Sequence, residues 1–155
     1  ISEKIPTFEE FANASIEEIY GEEIVDAYER KVTSFESIIL INKGENKFEI
    51  EKLPPLAQSI PILTSETYDI NEDGYEDVIV GGNIYNTEVE TPRLDNQFAL
   101  LLISDKNKNY TAIGPDKSGL YLSGNTKSLK IIDRKNPKLL VANNNSNLEV
   151  FELNK

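Results

Sequence analysis

The stretch "SETYDINEDGYEDVIVGG", residues 65–82, decides the fold, because an acidic, turn-forming segment in it separates two apolar runs. The flanks "SETYDI" and "DVIVGG" have the residue pattern of strands rather than helices. Between them, "DINEDGYED" (69–77) brings several acidic side chains close together, where they repel one another unless a cation or water compensates their charge. The stretch therefore predicts two strands joined by an acidic turn.

The spacing within this turn predicts a metal loop. Side-chain oxygens at alternate positions can converge on one point, and Gly74 permits the sharp backbone turn that a wrapping loop requires. Oxygen ligands without nitrogen or sulfur select a hard ion, and about six to eight loosely arranged oxygens suit Ca²⁺ better than Mg²⁺. The candidate ligands, at loop positions 1, 3, 5, 7 and 9, are Asp69, Asn71, Asp73, Tyr75 through its carbonyl, and Asp77.

An EF-hand is not expected here. Position 12 of the loop is Val80, where an EF-hand has a bidentate Glu, and strands rather than helices flank the loop. We instead expect a compact loop that Asp77 closes between two strands of one sheet, with Glu72 and Glu76 pointing outward. A wholly solvated, metal-free turn is the alternative.

Composition excludes several classes of function. The net charge of −11 over 155 residues argues against nucleic-acid binding, which needs clustered Lys and Arg. With no Cys and no His, thiol chemistry, Cys/His zinc sites and imidazole bases are absent from the sequence. The apolar runs are shorter than the roughly 18 residues that a membrane span needs, so we expect no membrane insertion by this segment. The length suits one domain or a piece of a larger protein.

The chain divides into a helical segment, residues 1–33, and a β segment, residues 34–155. Thr7 with Glu10 forms the sequence pattern of a capping box, Ser15 is a second candidate N-cap, and "EEIVDAYERKV" after Gly21 has helical periodicity. The residue pattern then changes to short runs of β-branched and aromatic residues between turn residues. Nine strands are predicted, at 35–41, 47–51, 60–68, 77–81, 98–103, 109–113, 128–132, 138–142 and 148–153.

Two pairs of segments suggest an internal repeat. "FESIILINKGENKFEI" from Phe35 matches "FALLLISDKNKNYTAI" from Phe98, and "YDINEDGYEDVIVGGN" from Tyr68 matches "KIIDRKNPKLLVANNN" with Asp69 on Asp133. The offset from Phe35 to Phe98 and the offset from Asp69 to Asp133 differ by a single position. The agreement of the two offsets indicates a repeated β-sheet unit. A chance match between degenerate hairpins is the alternative.

The pattern D-x-N-x-D-G-x-x-D before an apolar strand resembles the calcium loop of FG-GAP/VCBS-type β-propeller repeats. The flanking segments are similar to the C-terminal part of large VCBS repeat proteins exported by Bacteroidota, and "PTFEEFANASIEEIYG" is similar to a helical insertion there. The resemblance implies about two antiparallel propeller blades with an N-terminal helical segment, an extracytoplasmic location, and bound Ca²⁺. It also implies a periplasmic, outer-membrane-surface or secreted protein whose remaining blades come from the parent chain or a protein partner.

The second copy of the loop departs from this pattern. "DRKNPK" keeps Asp133 but places Lys135 and Pro137 at the third and fifth positions, so two ligands are lost. Either the lysine ammonium replaces the cation or the segment is an ordinary metal-free hairpin. We expect one calcium site, not two.

A second candidate site is the long connection "GGNIYNTEVETPRLDNQ", because loops of this length are uncommon unless they are functional or held by their own contacts. Its candidate partner-binding residues are Tyr85, Glu88, Glu90, Arg93 and Asp95. They can bind a protein or glycan, or form structural ion pairs.

The leading hypothesis for function is a non-catalytic binding or scaffold module for protein or glycan partners. The alternatives are an accessory part of a carbohydrate-active enzyme, for which Glu88, Glu90 and Asp95 are the clustered carboxylates, and a subunit of an outer-membrane assembly. No catalytic residue is assigned.

Overall fold

The computed structural model describes residues 4–96 and 98–153. The chain splits into two compact units, Ile1–Phe35 and Glu36–Lys155. Strands hold 32% of the residues and helices 16%, so the predicted mainly β class is confirmed. Among the residues that the structure describes, no helix is long and apolar enough to cross a membrane.

The N-terminal unit contains two short α-helices, α1 (Phe8–Asn13) and α2 (Ile16–Tyr20), followed by a 3₁₀ helix, Gly21–Ile24. Both helices begin at a reciprocal capping box. The Thr7 hydroxyl accepts the Glu10 N–H while the Glu10 carboxylate accepts the Thr7 N–H, and Ser15 and Glu18 repeat the arrangement. The predicted caps at Thr7 and Ser15 are therefore confirmed.

The predicted continuation of the helix through "EEIVDAYERKV" is wrong beyond Ile24. Gly21 has φ +62° and ψ −138°, which ends α2, and only one 3₁₀ turn follows. The apolar face that should have stabilised a longer helix is not buried, since Val25 is 81% exposed and Tyr28 82%. Short helices without a packed face are marginal in water, so periodicity alone does not sustain this one.

Over residues 36–96 and 98–153, the C-terminal unit contains nine antiparallel strands, as predicted, in three sheets. β1 (Ile38–Asn42) and β2 (Phe48–Lys52) form the first sheet. β3 (Thr64–Tyr68), β4 (Asp77–Gly81), β5 (Leu100–Ser104) and β6 (Tyr110–Ile113) form the second, in chain order. β7 (Thr126–Ile132), β8 (Lys138–Asn143) and β9 (Glu149–Glu152) form the third. Over the described ranges, these sheets do not close into a barrel or propeller.

Two helical turns in this unit were not predicted. A 3₁₀ helix occupies Pro55–Ser59, and a single turn of helix, α3, occupies Pro115–Ser118. The first ends just before the strand predicted at 60–68, which begins only at Thr64. Both turns begin with proline, whose fixed φ suits the start of a helix, and this signal was present in the sequence.

The two inner strands of the four-stranded sheet, β4 and β5, pack on both faces. Ile79 contributes to one apolar cluster, which it shares with Leu129 and Leu139 of the three-stranded sheet. Val80 contributes to the other, which includes Ala57 of the 3₁₀ helix and Ile39 of β1. Burial on both faces explains why "DVIVGG" is a continuous apolar run rather than an alternating one.

Two pairs of strands end at spacings close to the offsets found in the sequence. β1 ends at Asn42 and β5 at Ser104, each at the last pair of its hairpin. β3 ends at Tyr68 and β7 at Ile132. The spacing from β3 to β7 equals the predicted offset from Asp69 to Asp133, whereas the spacing from β1 to β5 is slightly shorter than the predicted offset between the first pair of segments.

Side chains of β3 bind the backbone of β7. The Leu129 N–H donates to Thr64 Oγ1 at 3.1 Å, and the Ile131 N–H donates to Glu66 Oε1 at 3.0 Å. Lys130 Nζ lies 2.9 Å from the same carboxylate oxygen. Because N–H groups at a strand edge otherwise need water or another strand, these contacts satisfy β7 and join the two sheets.

Hydrogen-bond donors and positive charges around Glu66 lower the pKa of its carboxyl more than burial raises it. Burial raises the pKa of the Glu66 carboxyl, but hydrogen bonds from Lys130 and the Ile131 N–H, with the positive charges of Lys130 and Arg134, lower it below 4.5 overall. The folded state therefore favours the ionised form. Its contribution to stability is fully present above the unfolded pKa and is lost as the pH falls through the lower, folded pKa.

We expect Glu66→Gln to lower the free energy of unfolding by about 1 kcal/mol at pH 7, because the amide oxygen can still accept the Ile131 N–H but lacks the charge. The deficit should shrink as the pH falls through the folded pKa. Urea unfolding of both proteins across this range measures it. Glu49→Gln, at an exposed ion pair with Lys43, is the control and should change little. A pH-independent deficit for Glu66→Gln would contradict the role of ionisation.

Candidate metal centre

The loop 69–77 joins β3 to β4, which pair along their whole length. Asp69, directly after β3, organises its first half. Its Oδ1 accepts the Asp73 N–H at 3.1 Å, and its Oδ2 accepts the Gly74 N–H at 2.9 Å. One carboxylate thus draws the following turn of chain around itself.

Asn71 and Asp73 are brought to the same place. Asn71 Oδ1 accepts the Asp73 N–H at 3.1 Å, so oxygens of Asp69 and Asn71 bind one backbone nitrogen. Asn71 Nδ2 donates to Asp73 Oδ2 at 3.0 Å, and Asp73 Oδ1 accepts the Tyr75 N–H at 2.9 Å. The structure therefore gathers three of the five predicted ligands within one turn.

Asp77 is placed differently from these three residues. Its side chain is fully buried at the start of β4. Oδ2 accepts the Ile70 N–H at 2.9 Å, and Oδ1 accepts the Ser104 N–H at 2.8 Å. Ser104 Oγ in turn donates to the Glu76 carbonyl at 2.9 Å. Asp77 therefore ties the start of the loop and the end of β5 to β4, a role that the sequence analysis did not assign to it.

The backbone of the loop requires left-handed residues. Gly74 has φ +88°, and Glu72 has φ +59°. A Cβ at Gly74 would meet no atom within 4 Å, so the need for glycine there is torsional rather than steric. The predicted sharp turn at Gly74 is confirmed.

The donor chemistry of the loop fits a hard cation. The candidate ligands present only oxygen, and a carboxylate oxygen that accepts one N–H keeps a second lone pair. The arrangement described is nevertheless held by backbone N–H groups, and nowhere in residues 4–96 and 98–153 do three or more Asp or Glu carboxylates form a ready-made metal cluster. Calcium binding by Asp69, Asn71, Asp73, Tyr75 and Asp77 stays a prediction.

The outer side of the loop is exposed, as predicted for Glu72 and Glu76. Glu76 Oε1 lies 3.5 Å from Arg134 Nη1, and the Arg134 guanidinium lies 5.9 Å from the centre of the Tyr68 ring. A cleft of about 330 Å³ lies beside the loop, with Tyr75, Ser104 and Tyr110 in its wall. The turn after β7 therefore supplies positive charge next to the acidic loop.

The degenerate loop at Asp133 is a short turn. Asp133 follows β7 directly, as Asp69 follows β3, and its Oδ1 accepts the N–H groups of Lys135 and Asn136 at 3.2 and 3.3 Å. The connection from β7 to β8 is shorter than the one from β3 to β4. This geometry is that of an ordinary hairpin turn. Arg134 of this turn, to which the sequence analysis gave no role, reaches the acidic loop through Glu76.

The long connection is held by its own contacts. Tyr85, Arg93 and Asp95 form a cluster in which Arg93 Nη2 lies 2.8 Å from Asp95 Oδ2 and the guanidinium lies 4.7 Å from the centre of the Tyr85 ring. The single Tyr85 hydroxyl proton has two acceptors within hydrogen-bond distance, Asp95 Oδ1 at 3.2 Å and the Ser123 carbonyl at 2.9 Å. Burial and the Asp95 carboxylate raise the pKa of Tyr85, although the charge of Arg93 opposes them. These are the structural ion pairs that we considered as an alternative.

Glu88 and Glu90 are exposed at the tip of the same connection, where the Thr91 N–H donates to the Glu88 carbonyl at 2.9 Å. Partner binding by these two residues, with Tyr85, Arg93 and Asp95, stays a prediction.

A buried asparagine that sequence reasoning gave no role anchors this connection. Asn83 is 1% exposed, donates from Nδ2 to the Gly124 carbonyl at 2.7 Å and accepts the Asn96 N–H at 3.1 Å. Its position after two glycines at the end of β4 was the signal in the sequence.

No family model, curated protein or solved structure matches the chain. The resemblance to FG-GAP/VCBS repeats therefore rests on the quoted residues of the loop and its flanks.

Proposed function

We propose that this chain is a calcium-binding, non-catalytic module of an extracytoplasmic β-propeller protein, with one Ca²⁺ site in the loop 69–77. The observation that carries the proposal is the convergence of Asp69 and Asn71 on the backbone nitrogen of Asp73, in a loop whose candidate donors are all oxygens. Three acidic side chains of this loop, Asp69, Asp73 and Asp77, would serve as ligands together with Asn71 and the Tyr75 carbonyl.

The chain's own residues prepare the loop for this role. Asp77 ties the start of the loop to β4 through the Ile70 N–H and is itself held by the Ser104 N–H of β5, and the Asp69 carboxylate sets the curvature of the loop through Gly74. Bound Ca²⁺ would supply positive charge that compensates the repulsion among these carboxylates. The result is a rigid turn at one edge of the four-stranded sheet, suited to a stable platform.

The sheet pattern supports the propeller assignment. The sheet β3–β6 has the order of one complete four-stranded antiparallel blade. β1–β2 then corresponds to the outer half of a preceding blade and β7–β9 to three strands of a following blade, which gives about two blades in total. Because a propeller has about four to eight blades, the remaining blades come from the parent chain or a protein partner.

A binding role requires no catalytic group. The carboxylates considered for glycan hydrolysis include Asp95, whose oxygens are engaged by Arg93 and the Tyr85 hydroxyl. This arrangement favours a scaffold whose exposed loops contact a protein or glycan over the alternative of an enzyme component. A subunit of an outer-membrane assembly is compatible with the same role.

We expect Ca²⁺ to raise the melting temperature, because a ligand that binds only the folded state stabilises it. Loops of extracellular modules bind Ca²⁺ with dissociation constants of about 10⁻⁴ to 10⁻³ M, so about 10 mM Ca²⁺ should give a clear shift relative to excess chelator. Differential scanning calorimetry with Mg²⁺ as the matched control measures it. Equal melting curves in chelator and Ca²⁺ would refute the proposed site.

A comparison of Asp73→Asn with Asp133→Asn tests the ligand assignment. Both substitutions keep an oxygen that can accept the N–H groups of the turn, so each isolates the carboxylate charge. Asp73→Asn should weaken Ca²⁺ binding at least tenfold in calorimetric titration, whereas Asp133→Asn should leave it unchanged. If Asp133→Asn alone loses binding, the assignment is wrong.

Asp77→Asn should destabilise the fold whether or not calcium is present. The amide would present a donor to one of the two backbone N–H groups that the carboxylate accepts, so we expect a loss of about 1–3 kcal/mol of unfolding free energy even in excess chelator. Urea unfolding measures the loss, and Glu76→Gln at the exposed neighbouring position is the control. A loss seen only with Ca²⁺ would mean that Asp77 acts as a ligand alone.

A further inference from the structure

Arg134 contacts both ends of the acidic loop. It lies in the turn after β7, and its side chain reaches across to the neighbouring sheet. Nη1 lies 3.5 Å from Glu76 Oε1, and Nη2 donates to the Thr67 carbonyl at 3.4 Å. The guanidinium carbon lies 5.9 Å from the centre of the Tyr68 ring. One side chain of the three-stranded sheet is therefore held by three residues around the loop.

These contacts place a positive charge beside the candidate calcium ligands. Tyr68 directly precedes Asp69, the first candidate ligand, and Glu76 directly precedes Asp77, the last one. A single exposed ion pair does little to fix a long side chain, but here a hydrogen bond and a ring contact act on the same guanidinium. The charge of Arg134 therefore belongs to the surroundings of the loop.

This charge comes from the degenerate copy of the loop. "DRKNPK" occupies the place that the repeat would give to a second calcium loop, and Arg134 follows Asp133 in it. The copy that has lost ligands for a cation of its own thus extends a cationic side chain toward the copy that keeps its ligands.

We propose that Arg134 is a counter-ion of the loop 69–77 and sets its affinity for Ca²⁺. The inference rests on the proposed function, because it concerns the same site. Without bound metal, the guanidinium offsets part of the repulsion among the loop carboxylates and so stabilises the folded chain. When Ca²⁺ binds, the same positive charge repels the ion and lowers the affinity. Because the side chains of Arg134 and Glu76 are 60% and 54% exposed, water limits the effect to a few fold and salt screens it.

Calorimetric titration of CaCl₂ into Arg134→Gln tests the proposal. We expect this variant to bind Ca²⁺ about threefold more tightly than the unchanged chain at about 10 mM salt, where charges interact over about 30 Å. The difference should largely disappear at about 1 M salt, where the screening length falls to about 3 Å.

Lys135→Gln is the matched control, because it removes the same charge from the same turn. Within the described part of the chain, the Lys135 side chain has no hydrogen bond or ion pair with the loop, and only its backbone N–H is engaged, by Asp133. Lys135→Gln should therefore raise the affinity much less than Arg134→Gln does. Far-UV circular dichroism verifies that both variants are folded.

Urea unfolding in excess chelator is a second readout that does not involve calcium. Arg134→Gln should unfold at a lower urea concentration than Lys135→Gln, because only Arg134 offsets the repulsion within the loop. This deficit should decrease at about 1 M salt, as expected for a counter-ion.

The outcomes separate the inference from the proposed function. Equal affinities of the two variants, or weaker binding by Arg134→Gln, would overturn the role of Arg134 and leave the calcium site in place. An affinity difference that is undiminished at about 1 M salt would also overturn it, since a change of loop geometry rather than of charge would then be the cause. If the unchanged chain does not bind Ca²⁺, the proposed function is refuted and the inference falls with it.

Discussion

The buried carboxylate of Asp77 is the interaction on which the β unit most depends. It accepts the N–H of Ile70 at the beginning of the acidic loop and the N–H of Ser104 at the end of β5. One side chain therefore fixes the loop, the central strand β4 and its neighbour relative to one another. A fully buried carboxylate without hydrogen-bond donors would greatly lower the stability of the folded state. The two N–H groups therefore make the burial of Asp77 possible, and Asp77 in turn satisfies these N–H groups.

A second constraint joins the sheets. Thr64 and Glu66 accept backbone N–H groups of β7 and so use side chains where another strand would normally pair. The sheets consequently stack by their faces while one edge is satisfied by side-chain acceptors. Because the lowered pKa of Glu66 favours its ionised form in the folded state, we expect acid to weaken this join between the sheets.

The acidic side chains have different roles in the two units. In the N-terminal unit, Glu10 and Glu18 cap helices that have no buried side chain, so the carboxylates stabilise local turns only. In the β unit, Asp69, Asp73 and Asp77 organise a loop through hydrogen bonds to backbone N–H groups. Some of the acidic residues behind the net charge of −11 thus act in local caps, and others in a loop whose oxygens suit a cation.

The sequence by itself determined the mainly β class, the nine strands seen in the described residues, the capping boxes and the turn at Gly74. These features depend on local physics: alternation or runs of apolar residues, cap residues at fixed spacing, and the torsional freedom of glycine. It also predicted that Asp69, Asn71 and Asp73 lie close together, because the short turn confines alternate residues to a small volume.

Only the tertiary structure decided the rest. The sequence identified Asp77 only as a candidate ligand that closes the loop, whereas its oxygens also accept the N–H groups of Ile70 and of Ser104, which lies on a strand far along the chain. The helix predicted after Gly21 does not continue beyond Ile24, because no distant part of the chain covers its apolar residues: Val25 and Tyr28 remain exposed. In both cases the outcome depended on which distant groups a side chain met. Local pattern cannot supply that information, because burial and long-range hydrogen bonds exist only once the sheets have packed.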